Sequence, residues 1–218
     1  MLPSLSGRVQ EPASGRAPRQ LVLLLHGLGA DGSDLIGLAP SWAPLLPDAA
    51  FIAPDAPFPC DMAPFGRQWF SLQDRSPAAI LAGVRAAAPI LDAFIGDALA
   101  KRHLDERNLA LVGFSQGTMM SLYVGLRRAT APAGIVGFSG ALIGAETLAQ
   151  ELRSRPPVLL VHGDADDVVP PQALPMAVSV LEGAGVPVES LSCPGLGHGI
   201  DEAGLQRGGE FLRTVLGG

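Results

Sequence analysis

Five short runs of consecutive apolar residues, at 21–25, 50–53, 109–114, 135–138 and 158–161, limit what this chain can fold into. A strand with one wet face alternates apolar and polar side chains, whereas a strand apolar at nearly every position is buried on both faces. Strands of the second kind belong to a parallel sheet with helices covering each side. Each run stops at proline, serine or His-Gly, the punctuation expected where a strand gives way to a loop. A more alternating stretch at 186–192 is a further strand candidate.

Helical stretches lie between these runs. Ser33 or Asp34 can cap a short helix running toward Trp42. Ser76-Pro77 opens a longer Ala-rich one to about His103, with Ser as N-cap and Pro at the first position. Pro89 falls inside it and is predicted to kink or divide it. Further helices are predicted over 116–128, 144–153, 171–183 and 201–216. Regular alternation of strand and helix predicts an open α/β sandwich, and no linker-like stretch splits it, so residues 1–218 read as a single domain. The segment 54–76 breaks the rhythm. It is long, irregular and Pro-rich, and five of the eleven aromatics (Phe51, Phe58, Phe65, Trp69, Phe70) fall in or beside it. Such a loop either covers a binding site or packs down through its own rings.

Composition removes several classes of function. Hydrophobic residues at 48% against 17% charged are too many for a disordered chain. A net charge of −6 argues against nucleic acid or an anionic membrane as partner. Cys60 and Cys193 stand far apart and in no Cys/His cluster, so they read as free thiols of a cytoplasmic protein. Residues 1–20 are polar and lack the pattern of a secretory leader, and the apolar runs fall short of the ~20 residues of a membrane span. No stable membrane insertion is expected.

Two glycine motifs compete for the chemistry. Gly27-Leu28-Gly29-Ala30-Asp31-Gly32 follows a strand, and Asp55 ends the next one, the outline of a dinucleotide fingerprint in an oxidoreductase. Against this, Asp31 sets a carboxylate where the phosphates would sit, and the helix starts only after Gly32. The second motif, Gly113-Phe114-Ser115-Gln116-Gly117, is G-x-S-x-G at a strand-to-helix junction, the setting of a nucleophile elbow. Gly137-Phe138-Ser139-Gly140-Ala141 resembles it, but ends in Ala, so Ser139 reads as an ordinary strand-end residue.

A serine nucleophile needs a general base. After such an elbow the partners follow in the order Ser, Asp or Glu, His. His26 and His103 precede Ser115, and His162 leaves little room for an acid before it, so His198 is the expected base. Asp164, Asp166 and Asp167 all follow the strand at 158–161, and spacing alone does not separate them, although Asp164 fits a turn role. The acidic triplet lacks the spacing and distal glutamate of a calcium loop, so no metal is expected.

Four motifs in order, His26-Gly-Leu-Gly-Ala-Asp-Gly-Ser-Asp34, Gly113-Phe-Ser-Gln-Gly117, His162-Gly-Asp-Ala-Asp-Asp-Val-Val-Pro170 and Gly195-Leu-Gly-His-Gly199, resemble the phospholipase/carboxylesterase family of α/β hydrolases. That family includes acyl-protein thioesterases and small bacterial carboxylesterases. The resemblance implies an α/β-hydrolase fold, with a mostly parallel central sheet and helices on both faces. It makes Asp166 the acid partner of Ser115 and His198. It makes the backbone N–H of Leu28 one oxyanion donor, beside that of Gln116 following the nucleophile. No cofactor is implied, and the substrates are small carboxylic esters, thioesters or lysophospholipids. The segment Gly66-Arg-Gln-Trp-Phe70 differs from the loop of eukaryotic thioesterases and points to a bacterial esterase. Trp69 and Phe70, then Leu72 and Val169, are the expected pocket residues, and Arg67 either meets an acidic substrate group or stays solvated. The family includes homodimers, so a second copy of the chain is an admissible partner. A nucleotide-dependent oxidoreductase and a non-catalytic ligand-binding relative are the competing readings.

Overall fold

A computed structural model describes residues 4–217. Its main sheet contains β1 (Gly7–Gln10), β2 (Gln20–Leu25), β3 (Ala49–Pro54), β6 (Leu109–Phe114), β7 (Gly134–Phe138), β8 (Val158–Gly163) and β9 (Val188–Cys193), in the order β1-β3-β2-β6-β7-β8-β9. Between β3 and β6, β4 (Phe58–Pro59) and β5 (Arg67–Gln68) form a small antiparallel hairpin of their own. Only β1 runs antiparallel, against β3; every other pairing in the main sheet is parallel. This is the mostly parallel sheet of an α/β-hydrolase fold.

Strand pleating explains why the apolar runs are continuous. Successive side chains point to opposite faces, so Leu21, Leu23 and Leu25 enter one core while Val22 and Leu24 enter the other. The first core is closed by α3 (Pro77–Ala100), α4 (Gln116–Gly125) and α6 (Ala173–Gly183), through Val84, Leu91, Met120 and Leu181 among others. The second is closed by α1 (Gly32–Leu35), α2 (Ala39–Trp42) and α7 (Glu202–Leu216), through Leu35, Trp42, Phe211 and Leu212. A short α5 (Ala145–Glu151) follows β7.

Several local expectations are corrected. β1 was not anticipated, because an edge strand of Gly, Arg, Val and Gln has no apolar face to announce it. Asp31, not Ser33 or Asp34, caps α1, its carboxylate accepting the Ser33 N–H at 2.7 Å. Pro89 neither divides nor ends α3, which is a single helix of 24 residues. Residues buried on both sides of it (Val84, Ala87, Leu91, Ile95) pack along the sheet, and this packing outweighs the one backbone hydrogen bond that proline cannot make. The same helix corrects the reading of the apolar runs. By length and composition α3 is apolar enough to cross a membrane, and only Arg85, Asp92 and Asp97 break its run. In the fold its apolar stripe lies on the sheet.

The sheet's order creates the place for a site. The chain leaves β2 toward β3 on one side and later returns to lay β6 on the other. At such a reversal the loops from the two carboxyl ends diverge and leave a crevice. Residues 27–32 and Ser115 follow those two ends.

Candidate active site

Ser115 sits between β6 and α4 with φ 55° and ψ −117°, a conformation rare for any residue with a side chain. Glycines make this turn attainable. A Cβ on Gly113 would lie 2.3 Å from the Gly117 carbonyl, and one on Gly117 would lie 1.7 Å from the Leu25 carbonyl oxygen. The strand and the helix can therefore cross closely, and the serine is lifted off the strand end. Its own N–H donates to the Phe138 carbonyl at 2.9 Å, tying the elbow to β7.

Asp166 stands in the loop after β8 with its side chain fully buried, whereas Asp164 and Asp167 are exposed. Its Oδ1 accepts the N–H groups of Val168 and Val169, each at 2.9 Å. Its Oδ2 lies 2.8 Å from His198 Nδ1 and 3.2 Å from His162 Nε2. Burial pushes the carboxyl pKa up, but hydrogen bonds from His198, Val169 and Val168 outweigh it and hold the group below the usual carboxylate value. The carboxylate fixes the His198 proton on Nδ1 and leaves Nε2 as the acceptor. Asp164 instead receives the Gly195 N–H at 2.6 Å, pinning the loop that leads to His198.

Ser115, His198, Leu28 and Gln116 line one groove of about 1010 Å³. The Phe114 ring, next to Ser115, packs at 4.8 Å against the His198 imidazole. The first N–H groups of a helix have no intrahelical partner, and Gln116 is the first residue of α4. An imidazole anchored on a carboxylate can take the proton of a serine hydroxyl that comes within its reach in the same groove, and helix-start and loop amides there can hold an oxyanion.

Of the four expected pocket residues, Leu72 and Val169 line the groove; Trp69 and Phe70 do not. Both rings are buried in the first core. The correction has a clear cause, because this segment is used as a brace. The Trp69 N–H donates to Gln116 Oε1 at 3.1 Å, and Gln116 Nε2 donates to the Phe70 carbonyl at 2.9 Å. The Trp69 indole N–H donates to the His26 carbonyl at 2.9 Å. Arg67 is half-buried and does not line the groove; its guanidinium donates to the Ala56 and Pro57 carbonyls. Its backbone pairs with Gly29 and Ala30, so β5 props up the loop carrying Leu28.

Three site contacts escaped sequence reasoning. Ser139, read as ordinary, has φ 47° and donates its hydroxyl to the Gly199 carbonyl at 3.2 Å, holding the residue after His198. Its kinship to the elbow motif was the available signal. His162 shares its Nε2–H between the Val169 carbonyl, 2.9 Å away, and Asp166. The Gln116 side chain gave no signal, since only its backbone is called for by the motif. The dinucleotide outline fares poorly. Asp31 occupies the N-terminus of α1, and Asp55 is engaged by the Gly32 N–H and the Ser6 hydroxyl. Among the described residues no group of three or more His, Cys, Asp or Glu side chains could hold a metal ion.

Known proteins agree with this architecture. Residues 8–216 match the model of the phospholipase/carboxylesterase family. Esterase YpfH of Escherichia coli is 30% identical over 209 residues, covering 95% of this chain and 87% of that protein. Acyl-protein thioesterase 1 of Gibberella zeae is 34% identical over a shorter stretch, half of this chain and 48% of its own length. The crystal structure of esterase PE8 superposes with a TM-score of 0.94 at 44% identity, covering 98% of this chain and all of that one. The chain therefore belongs to the phospholipase/carboxylesterase family and is a carboxylesterase- or thioesterase-type hydrolase.

Proposed function

We propose that this single-domain hydrolase cleaves small carboxylic esters, and thioesters of similar shape, through Ser115, His198 and Asp166. His198 Nε2 takes the Ser115 proton as Oγ attacks the acyl carbonyl, while Asp166 holds the ring and stabilises its charged form. The amides of Leu28 and Gln116 bind the oxyanion. The tetrahedral adduct collapses, the alcohol or thiol leaves with the proton from His198, and an acyl-enzyme remains. His198 then activates water, and hydrolysis returns Ser115. No step calls for a cofactor.

The observation that carries this reading is the 2.8 Å contact between His198 Nδ1 and Asp166 Oδ2 at the groove that also holds Ser115 on its strained elbow. The groove favours an apolar acyl group, because Leu72, Ile80, Met119, Ile143 and Val169 line it. A fluorophosphonate probe followed by peptide mapping tests the nucleophile. Labelling confined to Ser115, lost in Ser115→Ala together with hydrolysis of p-nitrophenyl esters, supports the reading. A folded Ser115→Ala variant with undiminished turnover refutes it.

A further inference from the structure

His-Gly stands at the carboxyl ends of two strands; chain order sets His26 aside as the base, and lack of room for an acid before it sets His162 aside. His26, after β2, is fully buried and has backbone partners on both ring nitrogens. The Ala56 N–H donates to Nε2 at 3.0 Å. A backbone N–H can only donate, so Nε2 carries no proton and the ring proton is on Nδ1. Nδ1 faces the Gly27 carbonyl oxygen at 2.7 Å and therefore donates to it. Burial also lowers the ring's pKa, which keeps this neutral form dominant.

The Gly27 carbonyl and the Leu28 N–H belong to one peptide group. In a planar trans peptide the two point in opposite directions. Holding the carbonyl toward the buried ring therefore turns the N–H away from it, on the side where Leu28 lines the groove. We infer that His26 is a positioning residue, whose Nδ1–H fixes the Gly27–Leu28 peptide plane so that the Leu28 N–H faces the reacting carbonyl. The inference rests on the oxyanion assignment proposed above. It also gives the Trp69 indole bond to the His26 carbonyl a purpose, because that bond fixes the backbone from which the imidazole projects.

The role is specific enough to test. His26→Phe keeps a flat ring and removes the Nδ1 donor, together with the acceptor of the Ala56 N–H; His26→Asn places an amide N–H close to the position of Nδ1. Loss of one oxyanion donor lowers kcat by roughly a hundredfold or more. His26→Phe is therefore expected to lose about that factor in kcat with KM little changed, and His26→Asn to recover most of it. An alkyl boronic acid, which forms a tetrahedral adduct on the serine, should lose affinity for His26→Phe by the same factor, while the corresponding alkyl ether should bind unchanged. Full kcat in folded His26→Phe, or equal losses for boronate and ether, overturns the inference. If His26→Phe does not fold, nitrogen NMR of the wild-type imidazole decides, and a ring protonated on Nε2 instead of Nδ1 overturns it. The parent reading is judged separately on wild type: a boronate adduct that leaves the Leu28 amide resonance unmoved refutes the oxyanion assignment itself.

Discussion

Asp166→Asn is the substitution whose outcome the geometry constrains most. Asparagine has one acceptor oxygen where aspartate has two. The Val168 and Val169 N–H groups, both 2.9 Å from Oδ1, demand that oxygen. Turning the amide over would set its NH2 against both donors, at about 1–3 kcal/mol for the buried Val169 N–H left unpaired. With the oxygen so placed, the NH2 takes the position of Oδ2, 2.8 Å from His198 Nδ1. The ring must then offer a lone pair at Nδ1 and carry its proton on Nε2. In that tautomer it cannot accept the Ser115 proton. A wrong-tautomer histidine costs about 10⁴ in kcat in the serine-protease triad, which corresponds to ~5.4 kcal/mol of barrier. The same NH2 also meets the His162 Nε2–H, 3.2 Å from the present Oδ2, so the acid loop loses stability as well. Initial rates on p-nitrophenyl butyrate, with circular dichroism melts to confirm folding, measure both effects. Asp164→Asn is the control, since that carboxylate is exposed and touches only the Gly195 amide; it should cost less than about tenfold. A folded Asp166→Asn within tenfold of wild type, or a larger loss from Asp164→Asn, refutes the reasoning.

Four other outcomes follow from the same geometry. Gly117→Ala should destabilise the fold by at least about 3 kcal/mol, since its Cβ would lie 1.7 Å from the Leu25 carbonyl oxygen; an unchanged urea midpoint would refute this. Met119→Trp should narrow the groove: each buried methylene contributes about 0.8 kcal/mol, so losing room for two should lower kcat/KM for long acyl esters roughly 15-fold relative to acetate. An unaltered chain-length profile would place the acyl group elsewhere. Burial, helped by the hydrogen bond to Asp201, pushes the Cys193 thiol up to about 11, so native protein should resist iodoacetamide at pH 8 at this position while urea-unfolded protein reacts. The Asp166 carboxyl is held below its ordinary 3.8, so its stabilising contribution is complete above that value and fades as pH falls through the lower folded pKa. The difference in urea midpoint between wild type and Asp166→Asn should therefore stay constant from pH 7 to 5 and shrink below pH 3.8; shrinkage already at pH 6 would count against it.

Much of this molecule was legible because burial on two faces leaves a one-dimensional mark. The strands at 109–114 and 135–138 could be read within a residue of β6 and β7, since short β-rich apolar runs closed by turn residues are what a strand buried on both faces leaves in a sequence. The helix Gln116–Gly125 was legible through the elbow that starts it. Edge strand β1 was not, because its side chains face solvent and its pairing is made by backbone alone. Pro89 misled because propensity is local while the packing that overrides it is not. Among the motif residues at strand ends, Leu28, Ser115, Gln116 and His198 line one groove, and Asp166 is buried behind His198. Trp69 and Phe70 were misjudged because an aromatic ring serves a core and a pocket equally well, and composition does not record which way it turns. The choice among Asp164, Asp166 and Asp167 likewise depends on burial, a property of the third dimension.

The parallel sheet has one consequence for how such a molecule comes to life. Ser115, Asp166 and His198 stand after β6, β8 and β9, three separate strands that meet only when every intervening pairing is in register. No local segment, and no early collapsed state with its helices already wound, can assemble the reactive serine. Pairings between residues distant in sequence close slowly. Esterase activity should therefore return after far-ultraviolet ellipticity when the chain is diluted out of urea, with the last strand as the timing element. On the proposed triad, a half-made chain carries an inert hydroxyl, and Ser115 gains its base only once β6 to β9 are paired.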